Sequence, residues 1–289
     1  MTPDDFSYLR ALLKERSGLV LAAEKQYLAE SRLLPLARKN GLTTLAELVG
    51  KLKEPQSAAL ATEVVDAMTT NETFFFRDKI PFEHFRDTIV PALLAARARD
   101  KRIRIWCTAC ATGQEPYSLA MLLHEMGAQL AGYRVQILAT DICGAVIDKA
   151  KAGIYSQFEV QRGLPIGLLI KYFTQTNERW QIAPELRGMV QFRTLNLLND
   201  FSPLGGFDVV FCRNVLIYFD RPTKIAVLER IARRMPEDGF LVLGAAETVV
   251  GLTDLYKPVA DRRGLYAPNG PARPAQSPAG NVVKLAAKA

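Results

Sequence analysis

A parallel α/β sheet covered by helices on both faces, preceded by an all-helical unit, is the fold that the sequence predicts. Two observations carry that expectation. From Ile103 onward, short apolar runs without alternation are separated by segments of helical period, which is how strands buried on both faces read. Over the first 70 residues the apolar side chains recur at helical spacing instead. Composition agrees: 49% of the 289 residues are hydrophobic and 23% charged, which suits globular domains and excludes collagen, wholesale disorder and a small disulfide scaffold.

Thr2-Pro3-Asp4-Asp5 reads as a helix start, with a hydroxyl cap, proline at the first helical position and acids at the positive end of the dipole. Phe6, Leu9, Leu12 and Leu13 follow on one face, and Ser17-Gly18 closes the helix. A second helix is expected from Glu24 to Asn40, kinked at Pro35. A third follows the Thr43-Thr44 cap with Leu45, Leu48, Val49 and Leu52, and a fourth begins at Pro55 with Leu60, Val64, Val65 and Met68. Strands are expected at 103–107, 135–139, 190–195, 207–212 and 240–243, with helices at 114–126, 145–152 and 222–235. A hairpin at 256–259 and 264–266 closes one edge. Residues 154–189 break the alternation, and either a helix at 165–173 or a short antiparallel excursion through Trp180-Gln181-Ile182 fits them. The expected division is a helical domain at 1–70, a linker at 71–90, the α/β domain at 91–267 and a disordered Pro-, Ala- and Gly-rich tail at 268–289.

No run approaches the roughly 20 apolar residues of a membrane span, and the N-terminus lacks a secretion signal. Four cysteines suit a reducing compartment, so a cytoplasmic protein without direct membrane insertion is expected. The net charge of +7 lies after residue 100, since residues 1–100 carry 14 Lys/Arg against 14 Asp/Glu. No polybasic block or interleaved aromatics accompany it, so it reads as solvated charge rather than a nucleic-acid footprint. Cys107-x-x-Cys110 has the spacing of a metal or redox pair, but no second pair or histidine partner follows, and no metal is expected.

Four segments carry candidate chemistry. The strand at 103–107 feeds Thr108-Ala109-Cys110-Ala111-Thr112-Gly113-Gln114-Glu115-Pro116, a loop of small residues opening onto a helix. Ligands of open α/β sheets sit there, outside the carboxyl ends of the strands. One glycine is too few for a dinucleotide fingerprint, and Glu115 suits an amine better than a pyrophosphate. Asp141, ending the second strand, is placed for the hydroxyls of a ribose. A nucleoside without phosphate, such as S-adenosylmethionine, satisfies both. Asn214 and Tyr218 stand just past the strand at 207–212, where they face a reacting group. Thr69-Thr70-Asn71-Glu72-Thr73-Phe74-Phe75-Phe76-Arg77 lies across the junction of the two units.

The motifs TTNETFFFR, ATGQEPYSLAM, ATDI, KAGIY, LNLL and FCRNVLIYFD occur in this order over residues 1–267. Together they resemble the chemotaxis receptor glutamate O-methyltransferases, the CheR family. The resemblance implies a Rossmann-like S-adenosylmethionine-dependent methyltransferase domain with a small antiparallel β insertion, behind an all-α N-terminal domain. It implies methyl transfer from S-adenosylmethionine to glutamates of methyl-accepting chemotaxis receptors, leaving S-adenosylhomocysteine. Asn71, Thr73 and Arg77 match the positions that reach the cofactor from the interdomain segment, Glu115 the acid after the first strand, and Asp141 the ribose acid. Asn196-Leu197 and Asn214-Val215 match the segments near its adenine and methionine parts. Arg77 and Tyr218 match the pair nearest the transferred methyl, and are the expected catalytic residues.

The sequence departs from the family pattern at Cys143, often an acid, and at Ala245-Ala246-Glu247, more usually His-Ser-Glu, which puts local loop contacts in doubt. The segment Phe173-Thr174-Gln175-Thr176-Asn177-Glu178-Arg179-Trp180 is short and lacks glycine where some members dock a receptor's C-terminal peptide, so independence of that tether is expected. Arg32, Arg38 and Lys39 are candidates to meet the receptor's cytoplasmic helices. Two other classes compete: a non-catalytic module sensing S-adenosylmethionine or its product, and a nucleic-acid methyltransferase. Arg77, Asn214 and Tyr218 argue against the first, and Arg213-Asn214-Val215 in place of an N-P-P-[YF] loop against the second.

Overall fold

The computed structural model describes residues 1–270. The tail expected from residue 268 therefore lies almost wholly outside the described residues. Four helices build the N-terminal unit: α1 (Pro3–Ser17), α2 (Gln26–Lys39), α3 (Leu45–Leu52) and α4 (Ala58–Met68). Thr2 and Thr44 form capping boxes with Asp5 and Glu47, each satisfying free backbone donors at a helix start. Leu9, Leu13, Leu33, Leu48 and Val64 are fully or almost fully buried and form its core. Helix α2 runs through Pro35 without a break; Ser31 and Pro35 are both exposed, so the carbonyl lacking its donor is open to water. Pro55 lies before α4 rather than starting it.

Arg32 does not join an outward basic face. Its guanidinium donates to Met68 O (2.7 Å), Thr69 O (3.1 Å) and Thr70 Oγ1 (3.1 Å), satisfying carbonyls at the C-terminus of α4. Lys39 is paired with Glu63 (3.0 Å), and Arg38 is exposed.

Residues 71–79 are irregular. From there the expected linker is already helical: α5 (Ile80–His84), a π turn at Phe85–Ile89 and α6 (Val90–Ala96) follow without interruption. Phe82, Phe85, Ile89, Val90 and Leu93 belong to the core of the α/β domain, whereas Ile80 at the start of the stretch is half exposed.

The sheet and its cover follow as β1 (Arg102–Cys107), α7 (Gln114–Glu125), β2 (Arg134–Asp141) and α8 (Gly144–Ala152). Next comes an insertion of β3 (Ile154–Ser156), α9 (Gln157–Gln161), α10 (Ile166–Tyr172), β4 (Phe173–Thr176), β5 (Arg179–Ile182) and α11 (Pro184–Gly188). Then β6 (Val190–Thr194), β7 (Val209–Cys212), α12 (Arg221–Ala232), β8 (Phe240–Leu243), β9 (Tyr256–Pro258) and β10 (Leu265–Pro268) complete it. The seven-stranded order is β6-β2-β1-β7-β8-β10-β9, parallel through β8 and antiparallel at the closing hairpin. Both readings of residues 154–189 are realised: the helix forms at 166–172, and β3-β5-β4 make a separate antiparallel sheet.

Because β1 lies between β2 and β7, the chain leaves it to opposite sides, and a crevice opens at its carboxyl end. Register brings the carboxyl ends of β1, β2, β6 and β7 level: Cys107 pairs with Ala139 and Phe211, and Asp141 with Thr194.

The insertion is locked to the interdomain segment. Phe75 is fully buried, edge-on to Tyr155 (5.1 Å) and Phe173 (5.6 Å). Gly163 (φ +82°) lies against it so closely that a Cβ there would stand 2.1 Å from the Phe75 carbonyl oxygen. Gly163→Ala is therefore expected to cost roughly 3 kcal/mol or more, from the left-handed backbone and the clash together. Denaturant unfolding checks this; a wild-type midpoint would contradict the contact.

Candidate functional site

A cleft of about 870 Å³, its open mouth included, lies at the crevice. Its wall comes from six parts of the chain: the end of α1, the interdomain segment, and the loops after β1, β2, β6 and β7. Asn71, Thr73, Arg77, Glu115, Asp141, Asn196, Leu197, Asn214, Val215 and Tyr218 all line it. The sequence motifs thus meet on one surface although they are up to 147 residues apart, counted from Asn71 to Tyr218.

Asp141 is 6% exposed, and its oxygens accept from Ala111 N (2.8 Å) and Cys143 N (3.1 Å). Burial pushes its carboxyl up, while the N–H groups of Cys143, Ala111 and Ile142 pull the other way. Two accepted bonds leave carboxylate lone pairs for hydroxyl donors. Cys143 keeps this turn through its backbone, so the hold on Asp141 does not need an acid side chain there. The thiols of Cys107 and Cys110 are buried and pushed well above their ordinary range, which makes them inert packing groups.

Glu115, in the first turn of α7, is buried against Arg213 with Arg213 Nη1 donating to its Oε2 at 2.6 Å. Arg213 was not a candidate from the sequence. Its side chain is 1% exposed, and Nη2 reaches Arg77 O and Asp78 Oδ2, both at 2.8 Å. Glu115 therefore does not stand alone for an amine; it shares its charge with this guanidinium.

Asn196 spends its side chain on the junction, donating to Arg16 O (2.6 Å) and accepting from Leu198 N (2.9 Å). The amide of Asn71 donates to Thr69 Oγ1 (3.3 Å). Arg77 donates to Glu72 O (2.8 Å) and stands over Phe74, whose ring also faces Arg162 at 4.4 Å. Arg162 in turn pairs with Glu72 at 2.6 Å. Tyr218 ends a 3₁₀ turn at Leu216–Tyr218, and its carbonyl accepts from Val20 N (2.9 Å). Lys14 pairs with Asp220 at 2.7 Å; that bond first, then Thr223, holds the Asp220 carboxyl down to about 2. The helical unit is thus docked directly on the loop after β7.

Glu247 is the second residue that the sequence reading missed. Its Oε2 accepts from Gly244 N (2.8 Å) and Asn214 N (2.7 Å), and its Oε1 from Val215 N (2.9 Å) and Leu216 N (2.7 Å). Asn214 has φ +57°, so successive N–H groups converge as an anion-holding nest. Gly244 leaves the room: a Cβ there would lie 2.7 Å from Glu247 Oε2. The doubt raised by Ala245-Ala246-Glu247 is resolved in favour of the loop, since its contacts come from the retained glutamate.

The comparisons with known proteins agree with this geometry. Residues 71–265 match the model of the CheR methyltransferase SAM binding domain, and residues 4–69 that of the CheR methyltransferase all-alpha domain. This chain belongs to the CheR methyltransferase family. It is similar to chemotaxis protein methyltransferase 1 of Pseudomonas aeruginosa, with 44% identity over 261 residues covering 88% of this chain and 94% of that one. It is also similar to chemotaxis protein methyltransferase Cher2 of Pseudomonas putida (40%, 88% and 94%) and to chemotaxis protein methyltransferase 1 of Vibrio cholerae (39%, 88% and 92%). The cofactor is S-adenosylmethionine, and the cleft suits it: a carboxylate able to take hydroxyls, a second able to take an amine, and apolar Ile142 and Leu197 for a purine. No helix among the described residues is long and apolar enough to cross a membrane.

Glu247→Gln replaces one oxygen by a donor and sets it against two backbone donors. A loss of about 2–4 kcal/mol in stability is expected, with at least tenfold weaker S-adenosylhomocysteine binding. Unfolding and calorimetry check both; wild-type values for both would contradict the nest.

Proposed function

We propose that this chain transfers methyl groups from S-adenosylmethionine to glutamate side chains of methyl-accepting chemotaxis receptors, forming methyl esters for sensory adaptation. The observation that carries the reading is a guanidinium and a phenol, Arg77 and Tyr218, on the wall of the same cleft as the cofactor-side residues. The names of the relatives support the chemotactic setting.

When bound, the cofactor supplies an activated methyl group on a sulfonium. A glutamate carboxylate, with an ordinary pKa of about 4.3, is already ionised near neutral pH, so the chain need not remove a proton. Its work is positioning and stripping of water from the nucleophilic oxygen. Arg77 orients the incoming carboxylate. Its bond to the Glu72 carbonyl occupies part of the fork, which limits an ion pair that would deactivate the nucleophile. Tyr218 directs the same group by hydrogen bonding. On the cofactor side, Asp141 holds the ribose and Glu115 the ammonium. Asn196-Leu197 and Asn214-Val215 flank the adenine and methionine parts, and Asn71 and Thr73 close the site from the interdomain segment. Retention of both Arg77 and Tyr218 favours turnover over silent sensing.

The partner is the cytoplasmic helical region of a receptor. The turn between β4 and β5 is only Asn177-Glu178, which supports action without a C-terminal tether peptide. Incubation with methyl-labelled cofactor and receptor-containing membranes is expected to label a receptor-sized band that releases methanol in mild base. Tyr218→Phe is expected to lower turnover at least tenfold with unchanged cofactor affinity, and Arg77→Ala to lower turnover with a further loss of affinity. Base-stable label, or full turnover in both variants, would overturn the reading.

A further inference from the structure

We infer that Arg213 is a positioning residue for both halves of the reaction centre, fixing the Glu115 carboxylate for the cofactor's ammonium and the backbone that carries Arg77. The inference rests on the reading of Glu115 as the ammonium's partner.

The geometry is that of a fork bridging two elements. One terminal nitrogen of Arg213 holds Glu115 at the start of α7, and the other holds the Arg77 carbonyl and the Asp78 carboxylate. The guanidinium packs over the Phe82 ring at 5.6 Å, and its Nε is buried with no acceptor. Rotation of the buried plane would break both attachments.

The backbone that it holds is strained. Phe76, Asp78 and Lys79 have φ of +52°, +69° and +50°, so Arg77 lies within a run of left-handed non-glycine residues. Such conformations are costly for residues with a Cβ and persist only where the surroundings hold them. Besides the turn bond from Lys79 N to Phe76 O (3.0 Å), two side chains outside the segment hydrogen-bond to it: Phe76 N donates to Ser118 Oγ (3.0 Å), and Arg213 holds residues 77 and 78. Without Arg213 the segment after Phe76 loses its side-chain anchor, and Arg77 its fixed origin.

Electrostatics add a second consequence. Burial pushes the Glu115 carboxyl up, and Arg213 opposes it by charge and hydrogen bond, aided by the Cys107 thiol; the Glu247 carboxylate acts with burial. The other titratable groups facing this cluster are the buried thiols of Cys110 and Cys212, while Asp78 faces Arg213 from outside. Arg213 thus works against burial and favours the ionised Glu115, the form that receives an ammonium. A lysine would preserve the charge but could not span Glu115, Arg77 O and Asp78 at once.

The test is S-adenosylhomocysteine binding to the full chain by calorimetry between pH 6 and 8.5, in two buffers of different ionisation enthalpy. Wild type is expected to bind with nearly constant affinity and a buffer-independent enthalpy at pH 7. Arg213→Gln is expected to bind at least tenfold more weakly at pH 7 and to recover toward high pH as Glu115 ionises. Arg213→Lys should restore the affinity profile without restoring turnover. Glu115→Gln should bind weakly at every pH; if it binds like wild type, the Glu115 reading fails and the inference falls with it. If Glu115→Gln binds weakly while Arg213→Gln keeps the wild-type profile, the Glu115 reading stands and the role of Arg213 is overturned. Should Arg213→Gln not fold, the wild-type enthalpy decides: proton release on binding that Glu115→Gln lacks would mean that Glu115 is protonated without Arg213's help mattering, and would overturn the inference.

Discussion

A buried carboxylate accepting four backbone N–H groups shapes the loop on which both the site and the domain junction depend. Glu247 gathers the amides of Asn214, Val215, Leu216 and Gly244, and so turns the chain sharply as it leaves β7. Asn214, Val215 and Tyr218 reach the cleft from this turn. The same loop receives Val20 N on the Tyr218 carbonyl and Lys14 on Asp220, so the helical unit docks on a surface that Glu247 holds. Four charge-assisted bonds are strong enough to keep a non-glycine residue in a left-handed conformation.

Around that turn the cleft is assembled from paired opposites rather than from isolated charges. Glu115 with Arg213 and Asp141 with two backbone donors each keep a buried polar group in place at the edge of an apolar core, while Glu72 with Arg162 is an exposed pair at the rim. An unpaired charge at the burial of Glu115 or Asp141 would be costly, whereas a partnered one presents fixed dipoles to a ligand. Methyl transfer to a carboxylate needs that rigidity more than it needs acid–base chemistry, because alignment and dehydration are the remaining barriers.

The parts legible in the sequence are those that leave a periodic or terminal mark. The run at 240–243 is strand β8 to the residue, and the helical pattern at 145–152 misses only Gly144. The residues that the strand ends and the family resemblance singled out line one cleft. Arg213 and Glu247 were not among them. Arg213 looks like the polar end of a strand until the fold buries it against Glu115, 98 positions earlier. The partners of Glu247 are main-chain amides, which every residue but proline carries, so no pattern announces them. The linker was misread from residue 80 because Phe82, Phe85 and Ile89 follow three phenylalanines, and aromatic density hides the helical period. The bonds of Arg32 were not legible either, because its acceptors are two carbonyls at a helix end and the Thr70 hydroxyl, 36 to 38 positions away.

On the proposed function, one crevice built by both domains orients the cofactor with its ribose at Asp141, its ammonium at Glu115 and its reactive end toward Arg77 and Tyr218. The most direct measurement is a crystal structure of the chain with S-adenosylhomocysteine. The account predicts ribose hydroxyls within hydrogen-bond distance of the Asp141 carboxylate, the amine on Glu115 and the sulfur facing Tyr218. A nucleoside bound elsewhere, or in this cleft with its two ends reversed, would contradict it.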